Sequence, residues 1–148
     1  MLSILFLYGS TGGSTEITLE KIAEVLREHG HEPVLQRAEC SQPSDIEGFE
    51  AVVLGCPTYG HGVLQQHMDD FIRKVPAGIF SGKRCAVVGL GDGKYDPYYL
   101  IEAATILEEF VKTQGGTLLL PSLRINKSPL PQLTGAIAAW AEQLAKLI

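Results

Sequence analysis

The chain has 148 residues, 45% hydrophobic and 20% charged, a globular composition that excludes disordered and fibrous classes. Twelve basic against 17 acidic residues leave a net charge of -5 and no basic stripe, so nucleic acid is not an expected partner. The apolar start Ile4-Leu5-Phe6-Leu7 has no positive n-region and is far shorter than the roughly 20 residues of a membrane span. A cytoplasmic location without a membrane partner is expected.

Ile4-Leu5-Phe6-Leu7-Tyr8 reads as a strand buried on both faces, running into a loop rich in Gly, Ser and Thr over residues 9–15. A helix follows, with Ile17, Ile22, Val25 and Leu26 on its apolar stripe. Ser14 or Thr15 is its candidate N-cap, and Gly30 its terminator. Residues 32–36 form a second strand. Ala51-Val52-Val53-Leu54 is a third, followed by a loop over 55–62 and a helix carrying Leu64, Met68, Phe71, Ile72 and Val75. Residues 85–90 make a fourth strand, and the next loop precedes a helix with Leu100, Ala104, Leu107 and Val111, closed by Gly115-Gly116. Residues 117–120 form a fifth strand. Beyond Pro131, a stripe of Leu133, Ile137, Trp140, Leu144 and Leu147 marks the last helix.

Strands that alternate with helices and are apolar throughout imply a doubly wound α/β sandwich with a parallel sheet covered on both faces. No repeat, low-complexity tract or linker divides the chain, so one domain over 1–148 is expected.

In such sheets a ligand binds outside the carboxyl ends of the strands, near the point where strand order reverses. Three loops qualify. In Gly9-Ser10-Thr11-Gly12-Gly13-Ser14-Thr15, small residues let backbone N–H groups converge, hydroxyls add donors, and the helix dipole favours an anion. The loop has neither the lysine of GxxxxGK[ST] nor the spacing of GxGxxG, which disfavours a nucleoside triphosphate or dinucleotide. A phosphate monoester held by neutral donors fits, and a plain glycine-rich turn is the rival reading. The second loop is Pro57-Thr58-Tyr59-Gly60-His61-Gly62, where Gly60 suits the positive φ of a type II turn. The third is Gly91-Asp92-Gly93-Lys94-Tyr95-Asp96-Pro97-Tyr98-Tyr99. Two aromatic-bearing loops beside a phosphate loop describe a slot for a flat ring with a phosphate tail.

Other chemistry is less favoured. His61 and His67 with Asp69 and Asp70 match no metal-ligand spacing and read as solvated, as do His29 and His31. No Gly-x-Ser-x-Gly elbow offers a hydrolase nucleophile, and Leu54-Gly55-Cys56 has no aspartate for an acyl-phosphate receiver. Cys40, Cys56 and Cys85 share no CxxC spacing and read as buried thiols.

Together the three loops resemble those of the flavodoxin family over essentially the whole chain. That family carries Ser/Thr-x-Thr-Gly-Asn-Thr after strand one, Thr-Trp-Gly or similar after strand three, and Gly-Asp-x-x-Tyr after strand four. Here the matching segments are Ser10-Thr11-Gly12-Gly13-Ser14-Thr15, Thr58-Tyr59-Gly60 and Gly91-Asp92-Gly93-Lys94-Tyr95. Tyr95-Asp96 and Leu123-Arg124-Ile125-Asn126 are also similar to the small MioC-type flavodoxins, and no insertion of the long-chain kind is seen in the last strand.

The resemblance implies a five-stranded sheet of order 2-1-3-4-5 and a noncovalent FMN carrying single electrons between a reductase donor and an acceptor enzyme. Such a protein has no small substrate of its own, and a monomer is expected. Ser10, Thr11, Gly12, Gly13, Ser14 and Thr15 would hold the phosphate. Tyr59 and Tyr95 would flank the isoalloxazine, Gly60 would offer its carbonyl to the reduced flavin and stabilise the semiquinone, and Gly91 and Asp92 would meet the ring edge. Pro57, Thr58, His61, Tyr98 and Tyr99 complete the expected cofactor-binding set.

Gly12 and Ser14 stand where the family has threonine and asparagine, which removes donors, and Tyr59 replaces a common tryptophan. His61 and Lys94 stand where acidic residues cluster in the family, predicting a higher hydroquinone/semiquinone potential. Asp69, Asp70, Asp92 and Asp96 are candidates for steering partners. Two other functions remain open on these residues: an NAD(P)H-dependent quinone or FMN reductase, and a binding module of the same fold that has lost FMN.

Overall fold

The computed structural model describes residues 2–59, 62–91 and 101–148. Strand β1 (Ser3–Tyr8) lies between β2 (Glu32–Arg37) and β3 (Ala51–Tyr59), and β3 pairs in parallel with β5 (Arg84–Gly91). On the far side of β5 run β6 (Thr117–Leu118) and β7 (Leu123–Asn126), both parallel to it. The order is therefore 2-1-3-4-5 once β5 counts as the fourth strand and β6 with β7 as a fifth strand in two pieces.

That split is a departure from the single fifth strand expected over 117–120. Register runs from Arg84 opposite Thr117 to Val88 opposite Leu123, so the outer strand carries two extra residues between its halves. Pro121 sits in this bulge, where it cannot donate to the ladder, and its carbonyl accepts the Trp140 indole N–H at 2.9 Å. The seventh strand, β4 (Val63–Leu64), folds back antiparallel on the end of β3, so much of the expected 55–62 loop is strand.

Both faces of the sheet are covered. Ile4, Phe6 and Tyr8 of β1 pack with Leu19, Ile22 and Leu26 of α1 (Ser14–Glu28) and with Trp140 and Leu144 of α4 (Ala138–Leu147). Leu5 and Leu7 point the other way, into a core with Met68 and Phe71 of α2 (Gln66–Lys74) and Ala104 and Leu107 of α3 (Glu102–Thr113). Alternation of side chains along a strand buried on both faces explains why its sequence is continuously apolar.

Gly30 ends α1 as expected, at φ 85°, with its N–H on the Arg27 carbonyl and that of His31 on the Leu26 carbonyl. Four expectations need correction. Leu64 belongs to β4, not to the second helix. The last helix opens with a 3₁₀ turn (Leu130–Gln132) containing Pro131 and a π-helical turn (Leu133–Ile137) before α4 proper. Ile17 and Leu147, expected on buried stripes, are exposed. Cys40 is exposed too, on a 3₁₀ turn after β2, while Cys56 and Cys85 are buried. Among the described residues, no helix is long and apolar enough to cross a membrane.

Candidate functional site

The loop after β1 begins at Gly9, whose N–H donates to the Gly55 carbonyl at 3.0 Å, and the chain then turns into α1. A Cβ on Gly9 would stand 2.3 Å from Gln65 Oε1, so a side chain there would have to displace the Gln65 amide from the start of α2. Ser10 is buried, and its Oγ accepts the Gly13 N–H at 3.1 Å. Gly13, at φ 86°, is the N-cap of α1, and its carbonyl accepts the Ile17 N–H. Neither Ser14 nor Thr15 is the cap, contrary to expectation: both lie inside the helix, and no side chain caps it. A left-handed N-cap leaves the first-turn N–H groups without a side-chain acceptor.

Thr15 is only 1% exposed, and its Oγ1 has no hydrogen-bond partner among the described residues. A buried hydroxyl without a partner is costly unless something else completes it. Thr18 shows the ordinary alternative one turn on, where its Oγ1 donates to the Ser14 carbonyl at 2.8 Å.

Three residues missed by the sequence reading border this loop. Gln65, 2% exposed, accepts the Met68 N–H at 3.1 Å as the N-cap of α2, and its Nε2 donates to Thr11 Oγ1 at 3.4 Å. Arg37, at the end of β2, donates from Nη1 to the Ser10 carbonyl at 3.1 Å. Glu16 in the first turn of α1 accepts from the Tyr8 hydroxyl and from Arg37. Burial and Glu16 together push the Tyr8 hydroxyl up to about 12. The hydroxyl-rich loop announced itself by composition, whereas Gln65 and Arg37 come from distant parts of the chain.

Pro57 is the last residue of β3 paired with β5, and its carbonyl accepts the Gln65 N–H at 3.3 Å. Thr58 Oγ1 accepts the Ala103 N–H at 3.0 Å, and Tyr59, opposite Val63 in register, is 41% exposed. Gly91 ends β5, and its carbonyl accepts the Lys127 N–H at 2.7 Å. The ends of β1, β3 and β5 thus bring Ser10 to Thr15, Pro57 to Tyr59 and Gly91 to one edge of the sheet. Gly60, His61, Asp92, Lys94, Tyr95, Asp96, Tyr98 and Tyr99 lie outside the described residues.

The family model described as Flavodoxin matches residues 6–140. The chain belongs to the flavodoxin family. It is 32% identical over 149 residues to a probable flavodoxin 2 of Bacillus subtilis, spanning 99% of this chain and 96% of that protein. The flavodoxin of Maridesulfovibrio salexigens is 29% identical, with 100% of both chains covered. The crystal structure of oxidised Flavodoxin 2 from Bacillus cereus superposes with a TM-score of 0.90 at 30% identity, covering 99% of each chain. Flavodoxins are FMN-binding electron carriers rather than enzymes, and this chain is accordingly one of them.

The residues present fit that cofactor. An uncapped helix start, the unpartnered Thr15 hydroxyl and the Ser10 hydroxyl form a donor set suited to a phosphate monoester. At Gly12 the site has room for a side chain, since a Cβ there would meet nothing within 4 Å. Among the described residues, no group of three or more His, Cys, Asp or Glu is placed to hold a metal ion. His67 is exposed, with Nε2 3.9 Å from Glu39, and Asp69 pairs with Arg73 at 2.9 Å.

Proposed function

We propose that this chain, as one flavodoxin-like domain over residues 1–148, carries single electrons through FMN seated across the ends of β1, β3 and β5. The observation that carries the reading is the Thr15 hydroxyl, buried and without a partner in the first turn of an uncapped helix. FMN supplies a ring that accepts and releases electrons one at a time when bound.

The chain's own residues bind and orient it. Ser10, Thr11, Gly12, Gly13, Ser14 and Thr15 surround the phosphate, with the Thr15 and Ser10 hydroxyls and the first N–H groups of α1 as donors. Pro57, Thr58 and the exposed ring of Tyr59 form one wall of the flavin slot, and Gly91 begins the other. Gly60, His61, Asp92, Tyr95, Tyr98 and Tyr99 continue these walls in this reading. A flat aromatic at a strand end covers a flavin face without filling the edge through which partners reach it.

We assign the protein to the cytoplasm as a monomer that meets a donor reductase and an acceptor enzyme in turn. Asp69 is a weak candidate for steering them, because Arg73 offsets its charge at 2.9 Å. Purified protein incubated with FMN and desalted tests the reading. Stoichiometric flavin retained by the wild type and lost in Thr15→Val supports it. Wild type that keeps no flavin contradicts it and favours a binding module of the same fold.

A further inference from the structure

The phosphate loop contains no cation, yet the fold brings one to it. Arg37 lies 36% exposed at the end of β2, with its guanidinium carbon 5.5 Å from the centre of the Tyr8 ring. It holds two parts of the phosphate site at once: Nη1 donates to the Ser10 carbonyl at 3.1 Å, and Nη2 to Glu16 Oε2 at 3.4 Å.

Each contact has a consequence for an anion seated on α1. Glu16 is the third residue of the helix, so its carboxylate stands in the same turn as the phosphate donors. Left uncompensated, it would repel a phosphate. Both of its oxygens are occupied, Oε1 by the Tyr8 hydroxyl and Oε2 by Arg37. Glu39, 3.9 Å from Nη1, is the other carboxylate paired with this guanidinium, and it stands on the 3₁₀ turn after β2, outside the loop. The second consequence follows from peptide geometry. In a trans peptide the C=O and the next N–H point in opposite directions, so fixing the Ser10 carbonyl on Arg37 turns the Thr11 N–H away from it.

Resting on the FMN reading above, we propose that Arg37 is a positioning residue of the phosphate site. It neutralises Glu16 and orients the Ser10–Thr11 peptide, and so makes the site select phosphorylated flavin over riboflavin. Its hydrogen bonds reach the Ser10 carbonyl and Glu16, so in this proposal its effect falls on the phosphate.

The test is titration of FMN and of riboflavin into the flavin-free full chain, for wild type, Arg37→Gln, Arg37→Lys, Glu16→Gln and the Glu16→Gln/Arg37→Gln pair. Arg37→Gln weakens FMN roughly tenfold, the scale of one charge-assisted interaction, and leaves riboflavin unchanged. Arg37→Lys recovers part of the loss because it keeps the charge without the fork. Adding Glu16→Gln to Arg37→Gln recovers the electrostatic part of the loss, and Glu16→Gln alone tightens FMN but not riboflavin. If Arg37→Gln does not fold, the other two single variants carry the same comparison. Equal losses for both flavins, or FMN binding indifferent to charge at positions 16 and 37, would overturn the proposal. Wild type that binds neither flavin would instead overturn the FMN reading.

Discussion

Thr58 Oγ1 accepts the Ala103 N–H at 3.0 Å, so a side chain at the end of β3 satisfies the first turn of α3. Ile101, the N-cap of that helix, sits at φ 55° and has no side-chain oxygen to do so. Arg124 steadies the same junction by donating to the Ile101 carbonyl at 3.0 Å and to Glu108 at 2.9 Å. Thr58 therefore ties the end of β3 to the start of α3.

Replacing Thr58 with Val removes this bond while keeping the side chain's shape. The expected loss of stability is about 1 kcal/mol, read from urea unfolding of the flavin-free protein. Faster flavin release, followed by stopped-flow fluorescence, should accompany it. Unchanged release would mean that the junction does not govern the slot.

The phosphate site makes an opposite pair of predictions. Because the Thr15 hydroxyl has no partner among the described residues, Thr15→Val should cost the flavin-free fold little while weakening FMN strongly. Gly12→Thr should tighten FMN, since it adds a donor where a Cβ meets nothing within 4 Å. Calorimetric titration of both variants measures the two directions together.

Thiol chemistry should separate the three cysteines. Burial pushes the Cys56 and Cys85 thiols up to about 12, whereas Cys40 is exposed. One equivalent of a thiol reagent should react quickly near pH 8, at Cys40, and the remaining two only on unfolding. Mass spectrometry after proteolysis identifies the labelled position.

Tyr8 gives a pH dependence with a definite sign. Its hydroxyl is held up to about 12, first by burial and then by Glu16, against 10.0 when free. Folding favours the protonated form, so this contribution to stability is complete below pH 10 and is lost as pH rises towards 12. Unfolding free energies between pH 9 and 12 should fall less steeply in Tyr8→Phe than in wild type. Ultraviolet titration should show a tyrosine step above pH 11 in wild type that Tyr8→Phe lacks.

Much of this fold is legible because burial leaves a plain trace. Strand β1 is apolar at every position because both faces are covered, and Gly30 marks the end of α1 through its positive φ. The early end of β6 left no such trace, since Leu119 and Leu120 are as apolar as a continuing strand, and within the break only Pro121 marks the interruption. Hydroxyls at 14 and 15 resembled caps, yet the backbone at Gly13 turns left-handed and leaves the helix start free for a ligand. Gln65 and Arg37 were invisible as site residues because their roles depend on contacts across β-strand order, not on any local pattern. Cys40 misled because cysteine is commonly buried.

The most direct test of the account is a visible spectrum of the purified chain after incubation with FMN, desalting and stepwise anaerobic reduction. One bound flavin per chain, passing through a distinct half-reduced spectrum and giving electrons to a one-electron acceptor, is the predicted result. A chain that retains no flavin, or that oxidises NADPH steadily by itself, would contradict it.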